Sequence, residues 1–169
     1  MEESFARAEE PFHVFYYQSA GDDDGLFIHR RPDGTMSALT RPGNLEQMRD
    51  SAHIIVKLNG GLAYKMDIPE SILIGRGDFE RLAGKMPGVL PMFLRKALRQ
   101  RSLLFLGHGL SEPDVEALVR FAGENRKLES WAVQLQVAPE VVQYWASLGL
   151  QIVDADLKDF MVNLIAELI

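Results

Sequence analysis

The chain has 169 residues and 47% hydrophobic content, enough to bury one proper core. Its net charge of −6 and the lack of any basic stripe argue against a nucleic-acid surface. With no cysteine, disulfides and thiolate metal sites are excluded, which fits a cytoplasmic protein.

Residues 1–11 read as a loose or helical lead-in. The opening MEESFARAEEPF is acidic and has no apolar signal core, and no apolar run approaches membrane-spanning length. The expectation is a single domain over 1–169 with no membrane or nucleic-acid partner. Phe12–Tyr17 (FHVFYY) is aromatic and β-branched and predicts a strand, with Leu26–Arg30 pairing back across the turn Gly21–Gly25. Asp22, Asp23 and Asp24 lack the rest of a calcium loop, so a solvated turn is the simpler reading. Pro32 to Gly43 is dominated by turn residues and reads as one long loop.

His53–Asn59 (HIIVKLN) predicts the next strand, followed by Gly60-Gly61. Ile54, Val56 and Leu58 face one way, and Ile55, Lys57 and Asn59 the other. Ser71–Ile74 reads as a short strand, and Asp78 as the cap of a helix over Phe79–Lys85 that Pro87-Gly88 ends. Leu90, Phe93, Leu94, Ala97 and Leu98 give an amphipathic helix with Arg95, Lys96 and Arg99 on its wet side.

The central stretch is Ser102–Val119. Leu103–Leu106 is a short apolar run suited to a strand covered on both faces of a parallel sheet. Gly107-His108-Gly109 permits a sharp turn, and Ser111, Pro113 and Asp114 look like the opening of a helix carrying Val115, Leu118, Val119 and Ala122. Strand, glycine turn and helix in that order place the turn where ligands bind in open α/β sheets. A purely structural turn would carry the same Gly-x-Gly, which is a weak signal alone.

Further on, Trp131, Val133, Leu135 and Val137 alternate with Ala132, Gln134 and Gln136, predicting a strand covered on one face and nearer the sheet's edge. Pro139 opens a helix with Val142, Trp145 and Ala146, and Gln151–Val153 is a last short strand. Asp156 caps a final helix whose stripe Leu157, Phe160, Met161, Leu164, Ile165 and Leu168 is expected to be buried. Alternating strands and helices imply an α/β fold with three layers and a largely parallel sheet. His13, His29, His53 and His108 have no zinc-type spacing, and of the four only His108 stands in a candidate ligand turn.

Five segments in order give the chain a resemblance to the latter half of a bacterial sirtuin-like domain. They are IIVKLNGG (54–61), ESILIGRGDFERL (70–82), LLFLGHGLSEPD (103–114), SWAVQ (130–134) and YWASLGLQIVDADL (144–157). Proteins with this domain are similar to NAD-dependent deacylases and NAD-cleaving defence enzymes, so the resemblance implies a Rossmann-like fold and NAD or a related nucleotide as ligand. It places Lys57, Asn59, Gly60, Gly107, His108, Gly109 and Ser111 at the ligand. Because both segments read as ending strands on the same edge of a parallel sheet, they are expected to line one shared crevice.

The departures bear on activity. Asn59 stands where the family carries its catalytic histidine, and an amide cannot accept a proton near neutral pH. Gly109 stands where the family has a serine hydroxyl. The family's opening strand and Gly-Ala-Gly-type pyrophosphate loop have no counterpart in the sequence, nor has the cysteine zinc module, so no zinc and no catalytic residue are expected. The reading is a truncated or degenerate sirtuin-like domain, not catalytic alone, that binds a nucleotide-like ligand or serves as a protein-interaction module. The alternative is an NAD-consuming hydrolase or deacylase completed by a partner. A homodimer or partner protein is expected to cover the sheet face that the missing units would otherwise protect.

Overall fold

A short helix, α1 (Glu2–Arg7), leads into β1 (Phe12–Gln18). Both alternating side-chain sets of β1 are large and apolar, so Val14, Phe15, Tyr16 and Tyr17 are all buried. The computed structural model describes residues 2–18, 26–39, 53–58, 60–61, 71–73, 75–85, 88–123 and 129–168. The predicted turn Gly21–Gly25, the end of the predicted 32–43 loop, Asn59, Ile74 and Pro87 lie outside them. The chain divides into two compact units, 1–81 with 88–93 and 82–87 with 94–169.

In the first unit β1 pairs antiparallel with β2 (Leu26–Arg30), as the sequence predicts, and β2 continues antiparallel into β3 (Met36–Leu39). The expected loop over Pro32–Gly43 therefore contains a strand. Asp33 makes the tight turn, accepting hydrogen bonds from the Thr35 amide (2.9 Å) and hydroxyl (2.7 Å), and Gly34 takes a φ of +82°. On its other side β1 pairs parallel with β4 (His53–Lys57), giving the order β3-β2-β1-β4. β5 (Gly60–Gly61) and β6 (Ser71–Ile72) form a separate antiparallel pair.

Two helices follow. In α2 (Arg76–Lys85), Asp78 sits in the first turn rather than before it, and its carboxylate accepts the Gly75 amide at 3.1 Å. It thus caps from the third helical position, as in a capping box. In α3 (Met92–Gln100), the supposedly wet Arg95 has a buried Nε, and Arg99 stacks 4.4 Å over the Phe121 ring.

The second unit holds β7 (Leu104–Leu106), α4 (Pro113–Gly123), β8 (Ser130–Gln134), α5 (Pro139–Ser147), β9 (Leu150–Asp154) and α6 (Leu157–Leu168). The three strands are parallel in the order β7-β8-β9, so β8 is central. This reverses the sequence reading of those strands. β7 lies at a sheet edge with Leu104 44% exposed, while Ala132 and Val133 on β8 are buried on both faces. The apparent alternation to Val137 breaks because β8 stops at Gln134 and Gln136 takes a positive φ of +56°. Val115, Val119, Ala132, Trp145 and Leu150 form the core of this unit.

Asp156 caps α6 as predicted, its Oδ1 accepting the Lys158 and Asp159 amides at 2.9 and 3.2 Å. The α6 stripe is not buried as expected: Ile165 is 50% exposed and Leu157 38%. The described residues thus form a mixed α/β structure with one mixed sheet, one antiparallel pair and one parallel sheet. The single largely parallel sheet expected from the sequence is corrected accordingly. The aromatic β1 takes β2 as an antiparallel partner and β2 takes β3 in turn, pairings that do not need the long crossover a parallel neighbour requires.

Candidate functional site

The parallel register aligns the carboxyl ends of β7, β8 and β9, pairing Leu106 with Val133 and Val133 with Val153. At that edge Gly107 takes a φ of +68°, a left-handed conformation that glycine adopts without a Cβ penalty. The chain then turns through His108 and Gly109, and the Glu112 amide donates to the Gly109 carbonyl at 3.2 Å. Because α4 begins at Pro113, its N-cap is Glu112, and the predicted cap Ser111 lies one residue outside.

His108 Nδ1 lies 3.1 Å from Glu112 Oε2, and both side chains are nearly half exposed. A carboxylate only accepts, so Nδ1 carries the hydrogen and donates to it. In the neutral ring Nε2 is then left as an acceptor. Gln134, at the end of β8, donates from Nε2 to the His108 carbonyl and ties the turn to the neighbouring strand. The next strand end is joined in the same way, with the Gln136 amide donating to Asp154 Oδ1 at 2.8 Å and the Ala155 amide to the Gln134 carbonyl at 3.2 Å.

Glu112 and Gln134 were not among the residues singled out from the sequence. Glu112 was legible as a carboxylate four residues after the turn histidine. Gln134 had no local signal, because its role depends on the β7–β8 pairing.

The other predicted ligand residues lie in the first unit. Lys57 ends β4 and pairs with Glu2 of α1, its ammonium 5.2 Å from the Tyr16 ring centroid. Gly60 takes a φ of +80° and pairs with Ile72. Asn59, between them, is outside the described residues. The expectation that both turns end strands of one parallel sheet is not met, since β4 pairs with β1, β5 with β6, and β7 with β8.

The remaining histidines have structural settings. His13 Nδ1 and His29 Nε2 are 2.8 Å apart, and His29 stacks 4.5 Å from the Phe15 ring centroid. Burial, then the neighbouring charges of His13 and Arg31, push the His29 pKa down to about 4. Burial also lowers that of His13. Both rings are therefore neutral near pH 7, one nitrogen donating and the other accepting. His53 packs on Phe5 at 4.6 Å between centroids. Among the described residues no group of three or more His, Asp or Glu could hold a metal ion, and no helix is long and apolar enough to cross a membrane.

A family model described as the SIR2-like domain matches residues 1–153, nine-tenths of the chain. The chain belongs to the SIR2-like domain family. No curated protein and no solved structure matches it. The SIR2-like match takes in both the α1 lead-in and the Gly107 turn, and it stops within β9, short of α6.

Proposed function

We propose that this SIR2-like domain binds a nucleotide-like ligand, NAD or ADP-ribose, through ribose hydroxyls at the Gly107–Ser111 turn, and does not cleave it alone. The observation that carries the reading is the His108–Glu112 pair at the carboxyl edge of a β7-α4-β8-α5-β9 alternation, a Rossmann-like arrangement. A carboxylate and an imidazole nitrogen accept hydroxyl hydrogens well. The segment GHGLSE carries no lysine or arginine, and Glu112 repels a pyrophosphate. The residues therefore fit the ribose end of a dinucleotide and not its phosphates. Bound NAD would supply the scissile nicotinamide–ribose bond. The chain's own residues hold the sugar, and Asn59 provides no proton acceptor.

Titration calorimetry with ADP-ribose tests this. Binding should weaken about tenfold or more in His108→Ala, in line with the loss of a hydrogen bond to a charge-paired group. No binding by the wild-type chain would contradict the reading.

The second reading is an NAD hydrolase or deacylase completed by a partner. It is favoured by one observation: His108, oriented by Glu112, can act as the proton acceptor that Asn59 cannot. Chromatographic release of nicotinamide that is abolished by His108→Ala would establish it over the first. For assembly, a second copy of the chain is the proposed cover for the edge of β7 that no described strand pairs and for the exposed side of α6, where Val162 is 59% exposed. Light scattering should show a dimer, and a monomer at high micromolar concentration would contradict it.

A further inference from the structure

Strand register puts Arg30 and Lys57 on one face of the four-stranded sheet. Val14 pairs with Arg30 and Tyr16 with Lys57, and residues paired across a ladder project to the same side. Each cation rests on an aromatic ring of β1, Arg30 5.3 Å over Phe12 and Lys57 5.2 Å over Tyr16. Between them stands the carboxylate of Glu2. Arg30 Nη2 donates to its Oε2 at 2.7 Å, and Lys57 Nζ pairs with its Oε1. All three side chains are about a third exposed.

This arrangement is under-satisfied. Among the described residues one negative charge answers the two positive ones, and Arg30 Nε is buried with no hydrogen-bond partner. The holder of the carboxylate is also weakly held. α1 has six residues, none of them buried, and docks by Phe5 on the Phe12 and His53 rings at 5.6 and 4.6 Å. A helix that short does not persist in water without tertiary contacts.

We propose that Arg30 and Lys57 form a site for a dianionic phosphoryl group, which Glu2 fills from within as a displaceable plug. A phosphoryl group brings a second negative charge and a third oxygen. It can therefore neutralise both cations and supply the acceptor that Arg30 Nε lacks. The site lies wholly in the first unit and does not rest on the ribose reading of the Gly107 turn.

Titration of the whole chain with inorganic pyrophosphate at low ionic strength tests the proposal. Removing the competing carboxylate in Glu2→Gln should tighten binding at least about tenfold, because an internal competitor lowers the fraction of binding-competent chains. Adding Arg30→Met or Lys57→Met to Glu2→Gln should remove that gain, and chloride at matched ionic strength should not reproduce the binding. Equal affinity of wild type and Glu2→Gln would overturn the proposal, as would a gain that survives loss of both cations. Should Glu2→Gln fail to fold, the wild type decides by nuclear Overhauser contacts. Excess pyrophosphate should abolish those of Phe5 with Phe12 and His53, and an α1 that stays docked would overturn the plug.

Discussion

His29 is 4% exposed on the β1–β2 ladder and hydrogen-bonded to His13, whereas His108 stands on a turn with nearly half its side chain in water. The contrast runs through both units. In the first, polar groups engage one another inside the unit: His13 with His29, and Arg30 and Lys57 through the one carboxylate of Glu2. In the second, the polar groups gather at the carboxyl edge of a parallel sheet, where His108, Glu112 and Gln134 remain partly open. Burial forces pairing, because an unmatched polar group away from water costs several times what it costs at the surface. Residue type alone therefore does not show how open a group is to a ligand: Lys57 shares the Glu2 carboxylate with Arg30, whereas the His108–Glu112 pair stands nearly half exposed.

The largest expected effect comes from the sealed strand. Phe15 is fully buried between His29 and Phe93, with ring centroids 4.5 and 5.0 Å away. Phe15→Ala should cost about 3–5 kcal/mol in urea unfolding, by lost transfer energy plus a cavity. Ile165→Ala on the half-exposed face of α6 should cost less than about 1 kcal/mol. Comparable losses would break the contrast between the two regions.

Acid should act next. The folded pKa of His29 is depressed to about 4 from an ordinary 6.5, so the unfolded chain binds more protons between those values. The stability due to the neutral ring is complete above about pH 6.5 and is lost as the pH falls toward 4. The expected loss is on the order of 1–3 kcal/mol, read from thermal or urea midpoints against pH. His29→Phe should flatten that slope.

The smallest effects belong to the glycine turn. A Cβ at Gly107 would meet only Leu157 Cδ2, at 3.5 Å, so Gly107→Ala is opposed by its φ of +68° and not by crowding. It should cost about 1 kcal/mol in urea unfolding. Gly109 has no left-handed φ, and a Cβ there meets Glu112 Oε1 at 3.6 Å, an ordinary contact. Gly109→Ser should change stability by less than about 0.5 kcal/mol. By returning the family's hydroxyl, it should tighten ADP-ribose binding a few-fold in calorimetry.

Local patterning carried most elements. The aromatic run of β1, the Pro139 opening of α5 and the Asp156 cap of α6 were all legible because each is decided within a few residues. β3 was hidden because Asp33, Gly34 and Thr35 look like loop, when they build the turn that starts a strand. The roles of β7 and β8 were exchanged because an all-apolar run does not say how many neighbours it has. At the candidate site the Gly107 turn was visible in the sequence. What engages Lys57 was not, since Glu2 lies 55 positions earlier in the chain and only the β1–β4 register brings the two together.

The division of labour between the two units is tested most directly by amide-resolved NMR of the whole chain titrated with ADP-ribose. The account predicts saturable shifts at the amides of Gly107, His108, Gly109 and Glu112 that exceed any at Val14, Tyr16 and Lys57. Shifts confined to the β1 and β4 amides, or none at all, would contradict it.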